Sequence, residues 1–481
     1  MNKISETVIY TALSTTIVAI FVVASFFISF NLPLYVACIV LASIFILKKP
    51  EVGLYATILL TAIFGFSFGL LPFEWDDSIY KIYILDILVI VTCLSFLFYK
   101  LNNPKVKIKI GEKLGILILV FIAYCFFSMI YGIMSGGSFE LAFSTFKNYA
   151  LYSVFFFLVI NIIKTKEKLR EVIYVLIIAG ILIIPFIFLG LFQGSGLWIE
   201  FTPLSTEGTR LLAPNHAFDL CVAIIFTINF VAFRKNIFGK YTIPIVFIEI
   251  IGVIGSLTRH LWIALFVGLA LSFIFLPKKN KKNLFKLFSY QILFLLLIVI
   301  IYALVSFILT QEVKIFGLDY AKDAVIRLQS LFLYSESQDS SIYFRIFSWE
   351  KALSLFKESP IVGIGFGHKL SFDVFGWSLI IPMRELHNNF VGIIVQMGIL
   401  GFLTFVVFNV YFLVKGFSLL KDKSKKYYPY ILGAISCYFV FLVAANFGTY
   451  FDSNIFVTFY WIFIGVVFVV NDLKNSGEQN L

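Results

Sequence analysis

Apolar runs of roughly 17–22 residues recur along the whole chain, and about 20 helical residues suffice to cross a bilayer's hydrocarbon core. About fourteen spans are expected, beginning near Val8, Leu32, Val52, Lys81, Leu114, Asn148, Glu171, His216, Tyr241, His260, Ser289, His387, Tyr427 and Asn454. Those from Leu32 and Tyr241 are short enough to fit re-entrant segments as well. The first run has no small-residue cleavage site and further runs follow it, so it reads as a retained span rather than a signal peptide. The expected architecture is an all-α polytopic membrane protein of about 14 (12–14) helices with both termini cytoplasmic. Three regions follow: helices over 1–309, a large outward loop over 310–386 with amphipathic helix, and helices over 387–481.

The outward loop carries its own period. In "SIYFRIFSWEKALSLFKESP", Ile342, Ile346, Trp349, Leu353 and Phe356 recur at spacings of four and three. They predict one apolar stripe on a helix, with Arg345, Glu350, Lys351 and Lys357 off it and Pro360 ending it. "GIGFG" (363–367) follows. It lacks the Lys-Ser/Thr of a phosphate-binding loop and the strand–helix context of a dinucleotide fold, so a flexible turn is expected. No internal repeat or low-complexity segment is visible.

Composition agrees with a membrane solvent: 60% of the 481 residues are hydrophobic and 14% charged. A net charge of +11 would suit nucleic acid, but its placement does not. Lysine-rich clusters at 48–49, 100–113, 164–170, 234–240, 278–286 and 415–426 fall between alternate apolar runs, which is the positive-inside pattern of membrane insertion. The acidic turn "FEWDDS" (73–78) then lies outside. All five cysteines (Cys38, Cys93, Cys125, Cys221, Cys437) sit inside apolar runs without metal-ligand spacing, so they read as packing residues.

Arginine and histidine do not follow the lysines. Five of the seven arginines (Arg210, Arg259, Arg327, Arg345, Arg384) and all four histidines fall on the outward side. A guanidinium fork holds phosphate or carboxylate in two parallel hydrogen bonds, which an ammonium cannot do. Three of the clusters lie at helix mouths: Arg210 with Asn215 and His216 in "TRLLAPNHAFDL", Arg259 with His260 in "GSLTRHLWIAL", and His387 with Asn388 in "ELHNNFVGIIVQMGILGF". Each alone fits an interfacial arginine or a satisfied helix-end histidine; three on one leaflet point to a single site. Asp86, Asp219 and Glu249 fall inside spans, where an acid either works or pairs with a neighbour.

These blocks resemble the O-antigen ligase and polymerase superfamily of bacterial membrane glycosyltransferases. "SLTRHLWIAL" is similar to its Ser-x-Ser-Arg turn, "RIFSWEKALSLFKESPIVGIGFG" to its Arg, Trp, Pro-x-x-Gly-x-Gly segment, "HNNFVGIIVQMGILGF" to its His-Asn-x9-Gly-x-x-Gly pattern, and "APNHA" to its Pro-Asn helix start. The likeness covers roughly residues 205 to 405. Thr258 and His260 depart from the family's usual Ser and Gly, and fourteen spans exceed the twelve usual for ligases.

The resemblance implies an inverting, metal-independent transferase without cofactor. It would move a glycan from polyprenyl (undecaprenyl) pyrophosphate to a sugar hydroxyl at the outer face of the bacterial cytoplasmic membrane. The acceptor would be lipid A-core for a ligase or a growing glycan for a polymerase, and the His-Asn pattern favours the ligase. Arg210 and Arg259 would then clamp the pyrophosphate, supported by Lys147 and Arg345. His387 would be a base titrating near neutral pH, and Asn388 would orient it or the acceptor. Asn215, His216, His260 and His368 are further substrate-binding candidates. A transporter or lipid-linked glycan flippase would instead place charge near the bilayer midplane, often with repeat symmetry.

Overall fold

The computed structural model describes residues 5–25, 27, 31–65, 72–75, 78–193, 210–235, 237–310, 340–374, 377–421 and 426–476. Helices α1 (Glu6–Ala24), α2 (Leu32–Lys48) and α3 (Pro50–Phe64) open the chain. A short hairpin, β1 (Pro72–Trp75) with β2 (Ser78–Tyr83), leads into α4 (Ile84–Asn102) and α5 (Glu112–Met134). Next come α6 (Phe139–Tyr149), α7 (Val154–Ile162), α8 (Lys166–Gln193), α9 (Pro214–Ala232), α10 (Thr242–Gly255), α11 (Arg259–Phe275) and α12 (Lys278–Thr310). Helix α13 (Ser340–Glu358) and the hairpin β3 (Lys369–Val374) with β4 (Trp377–Pro382) precede α14 (Asn389–Lys421), α15 (Tyr428–Ala445) and α16 (Asn454–Asn475). Among the described residues nine helical stretches are long and apolar enough to cross a membrane, and α2, α3 and α11 are apolar but shorter. This is the all-α polytopic architecture expected.

The layering follows from how far round each helix the apolar residues extend. α16 is apolar on every side, as in "NIFVTFYWIFIGVVFVV", and its membrane-length stretch is buried throughout. It packs on α15 and α7, while α15 packs on α9 and α11. α12 exposes Ile292, Leu293, Leu296, Ile300 and Leu304, as a lipid-facing helix does. Between lie small polar clamps. The hydroxyls of Tyr438 and Tyr460 both donate to Asn409 Oδ1, joining α15 and α16 to α14. Asn229 Nδ2 donates to Ser272 Oγ (2.9 Å), which meets Ser436 Oγ at 2.9 Å.

α14 is not continuous. At Gly398 the backbone turns to φ +64°, ψ −172°, a conformation essentially confined to glycine. The break frees carbonyls and amides on both sides, and the glycine loop fills it. Ile364 N donates to Val395 O (3.0 Å) and Gly365 N to Gln396 O (2.9 Å), while Ile399 N and Leu400 N donate to Pro360 O (2.9 Å) and Ile361 O (3.1 Å). Farther along, Phe366 N donates to Ser128 O on α5 (2.9 Å). "GIGFG" is therefore a pinned strap and not the flexible turn expected. Only glycine lets it approach so closely: a Cβ at Gly365 would lie 2.3 Å from the Gly132 Cα.

The expected helix over the amphipathic segment forms, with a different buried face. Phe344, Trp349, Leu355 and Phe356 pack around buried Ser348 and Ala352, against the hairpin and α14, whereas Ile346 (38%) and Leu353 (40%) stay exposed. The period was right; its phase is set by partners that a single helix does not reveal.

The lysine clusters share one end of the molecule. Lys109 pairs with Asp472 (2.5 Å), Lys415 with Glu112 (3.9 Å) and Lys168 with Glu51, and Lys235 Nζ donates to Lys426 O (2.8 Å). α11 and α14 reach that end at Phe275 and Lys421, so their first residues, Arg259 and Asn389, lie at the other.

Candidate active site

Two turns and a pinned segment build the cationic site. Between α10 and α11, Leu257 adopts φ +52°. Thr258 N donates to Ser256 Oγ (3.3 Å) and Thr258 Oγ1 donates to Ser256 O (3.1 Å). Hydroxyl residues two apart are thus needed to tie the turn, and they deliver Arg259 and His260 at the first turn of α11. Beside it, Leu211 N donates to Gly255 O (2.9 Å), which fixes Arg210 next to the same turn.

The last turn precedes α14. Asn388 Oδ1 accepts from Phe390 N (3.0 Å) and Val391 N (3.2 Å), so this side chain caps the helix. His387, just before it, takes φ +53°, a strained conformation for a branchless ring residue that clusters at functional positions. α13 holds the segment: Trp349 Nε1 donates to Leu386 O (2.7 Å) and the Phe344 ring meets the His387 imidazole edge to face, 6.4 Å between centroids. The same helix brings Arg345.

These turns converge. Arg345, His387, Arg210 and Arg259 all lie within electrostatic reach of His260. His260 Nε2 meets Tyr450 Oη at 3.1 Å. The His387 imidazole is pushed down to about 4, first by burial and then by the Arg345 guanidinium. A histidine titrating near neutrality, the expectation for an unperturbed ring, does not survive this environment.

The remaining candidates are spread elsewhere. Lys147 Nζ is engaged by Asp86 Oδ2 (2.8 Å), whose other oxygen accepts from Tyr152 Oη (2.6 Å), so Asp86 is a pairing acid. His216 is buried with Nε2–H donating to Ile63 O (2.8 Å) and its ring stacked on Phe186, and Asn215 packs over Gly65. Both brace the end of α3. His368 Nε2 meets Ser135 Oγ at 3.0 Å beside the glycine strap. Asp219 and Glu249 are buried, and none of their carboxylate oxygens has a protein hydrogen-bond partner.

The sequence reading missed the loop 446–453 between α15 and α16. It places Tyr450 on His260 and Asp452 on the start of α14: Asn389 Nδ2 donates to Asp452 Oδ2 (2.5 Å) and Tyr149 Oη to the same oxygen (3.1 Å). An acid in a short outward turn was the available signal.

Residues 244–406 match the family model described as O-antigen ligase. Over that stretch, 163 of the 481 residues, the chain is similar to the O-antigen ligase family. No curated protein matches it. The stretch that matches the O-antigen ligase family holds Arg259, His260, Arg345, His368, His387 and Asn388, together with the glycine strap. Arg210, Tyr450 and Asp452, which contact or adjoin the same turns, lie outside the matched stretch, as does Lys147.

Proposed function

We propose that the protein transfers a glycan from a polyprenyl pyrophosphate to a sugar hydroxyl on the outer face of the cytoplasmic membrane, as an O-antigen ligase. The observation that carries the reading is the gathering of Arg210, Arg259 and Arg345 around His260 and His387, at the end of the helices away from the lysine clusters. Three guanidiniums gathered in one place suit a pyrophosphate, whose negative charge grows as it leaves. His387 takes the proton from the acceptor hydroxyl as that oxygen bonds to the anomeric carbon. The bond from that carbon to the pyrophosphate oxygen breaks on the opposite face, which inverts the configuration. The electron pair departs on the diphosphate held by the arginines. Burial keeps the imidazole neutral and ready to accept a proton, and the arriving anion offsets the field of Arg345, so basicity rises when substrate binds.

The test is transfer by the purified protein in lipid nanodiscs, supplied with a polyprenyl-pyrophosphate-linked glycan. Joining of the intact glycan to lipid A-core supports the ligase. A ladder of lengthened lipid-linked glycan without that acceptor makes the protein a polymerase, and binding of donor with no transfer to either overturns the reading.

A further inference from the structure

Arg210, Arg259, Arg345 and His387 take part in the proposed transfer, while the wall beyond Tyr450, which meets His260, has no role in it. That wall is formed by α6, the first turns of α14 and the loop 446–453. The loop is fixed at three points: Tyr450 Oη on His260, Phe451 N donating to Asn389 Oδ1 (3.0 Å), and Asn148 Nδ2 donating to Asp452 O. Asp452 keeps a partly exposed edge, but its Oδ1 is buried and has no protein hydrogen-bond partner; neither do Asn148 Oδ1 and Ser453 Oγ. An unpaired acceptor in such surroundings costs about 1–3 kcal/mol, more when charged, so three together in one place ask for a ligand. Beside them Gly392 leaves room: a Cβ there would meet only Gln396 Nε2 at 3.7 Å and Tyr149 Oη at 3.9 Å.

The chemistry of the wall selects its occupant. Asn148 Oδ1 can only accept hydrogen bonds, and so can Asp452 Oδ1 while the carboxyl is ionised, so the ligand must bring donors, and the ionised carboxyl disfavours an anion. Adjacent hydroxyls of a sugar ring meet both demands. We propose that Asp452, with Asn148 and Ser453, binds neighbouring hydroxyls of the acceptor sugar, on the side of Tyr450 where the loop meets His260. This rests on the glycosyl-transfer reading and adds a substrate-binding pole to it. Burial raises the Asp452 carboxyl to about 7, while Arg384, Tyr149 and Asn389 pull it down and Glu385 raises it. Ionised, its free oxygen accepts from a hydroxyl; protonated, it donates to one, so a hydroxyl suits either state.

The test uses the full-length protein in nanodiscs, with polyprenyl-pyrophosphate-linked glycan as donor and lipid A-core as the titrated acceptor. Asp452→Asn swaps an acceptor oxygen for a donor and should raise the acceptor KM by about 10- to 150-fold, with donor binding unchanged. Asn148→Ala should raise it in the same direction, and Tyr149→Phe, which leaves Oδ1 in place, should raise it less. An acceptor KM within twofold of the parent in both Asp452→Asn and Asn148→Ala overturns the proposal. So does a donor affinity that falls in step with the acceptor's, which marks a structural wall. Direct binding of core oligosaccharide, followed by ligand NMR, separates this proposal from the reaction itself. If the parent transfers nothing yet binds the oligosaccharide and Asp452→Asn does not, the hydroxyl site stands and the transfer reading falls. If neither binds, the hydroxyl site falls.

Discussion

At His387 burial and Arg345 act in the same direction, and both favour the neutral ring. A base works only while unprotonated, so activity is lost as pH falls through its pKa. The acid limb of kcat/KM, which reports the free enzyme, should therefore lie near pH 4 and not near 6.5. Arg345→Gln removes part of the positive field, so it should move that limb to higher pH while weakening donor binding. A limb that stays put in this variant assigns the titration to another group. His387→Ala should lower transfer by about 10²–10⁴ with donor still bound, and His387→Gln should not restore it. Arg259→Lys keeps a charge but loses the fork; a lost charge-assisted hydrogen bond of about 1.5–3 kcal/mol is roughly a 10- to 150-fold loss. Near-parental transfer by well-folded Arg259→Lys protein would reduce it to an interfacial cation. The arginines and His387 were legible because charge type and side of the membrane can be read along a chain. Asp452 and Tyr450 were not: their importance lies in contacts to Asn389 and His260, 63 and 190 residues away.

The element that holds His387 is a broken helix mended by a strap from another part of the chain. The upper piece of α14 starts at the Asn388 cap and ends at Gly398, where the strap substitutes for the missing helical hydrogen bonds. A side chain at Gly398 meets two obstacles. Its Cβ would lie 2.3 Å from Ile361 O and 2.5 Å from Gly363 N, and the backbone conformation alone costs about 1–3 kcal/mol for a residue other than glycine. Gly398→Ala should lower the melting temperature and transfer together, whereas Ile399→Ala, at an exposed neighbour, should change neither. Thermal unfolding in detergent and the transfer assay, run on both variants, check this; a fully stable, active Gly398→Ala protein would mean that the break is incidental. The glycine spacing was visible in the sequence, and so was the proline that stops α13. That the two glycine segments lock into each other was not, because no local pattern encodes a pairing between a helix gap and a distant loop.

At the scale of the molecule the lysine clusters take one end, and Arg210, Arg259 and Arg345 take the other. Lysine clusters from 109 to 474 are tied to one another by ion pairs and carbonyl contacts at one end, while Arg210, Arg259 and Arg345 meet at the other. Insertion accounts for the first group, since lysine near span ends is retained in the cytoplasm. It gives no reason for the second, which is why those arginines carry the functional argument. Hydropathy and charge along the chain were enough to expect this polarity, because both are imposed segment by segment. The layering around α16 was not foreseeable, as a uniformly apolar helix fits protein or lipid equally well. The polarity makes a prediction that needs no substrate. Lys357 at the end of α13 and Lys421 at the end of α14 are both exposed, whereas four of the five native cysteines are buried. In spheroplasts, Lys357→Cys should react with a membrane-impermeant maleimide from outside, and Lys421→Cys should react only after permeabilisation. The reverse result would put the arginine end in the cytoplasm, where a lipid-linked donor would have to be presented from the inner leaflet. It would remove the proposed ligase reaction while leaving the fold as described.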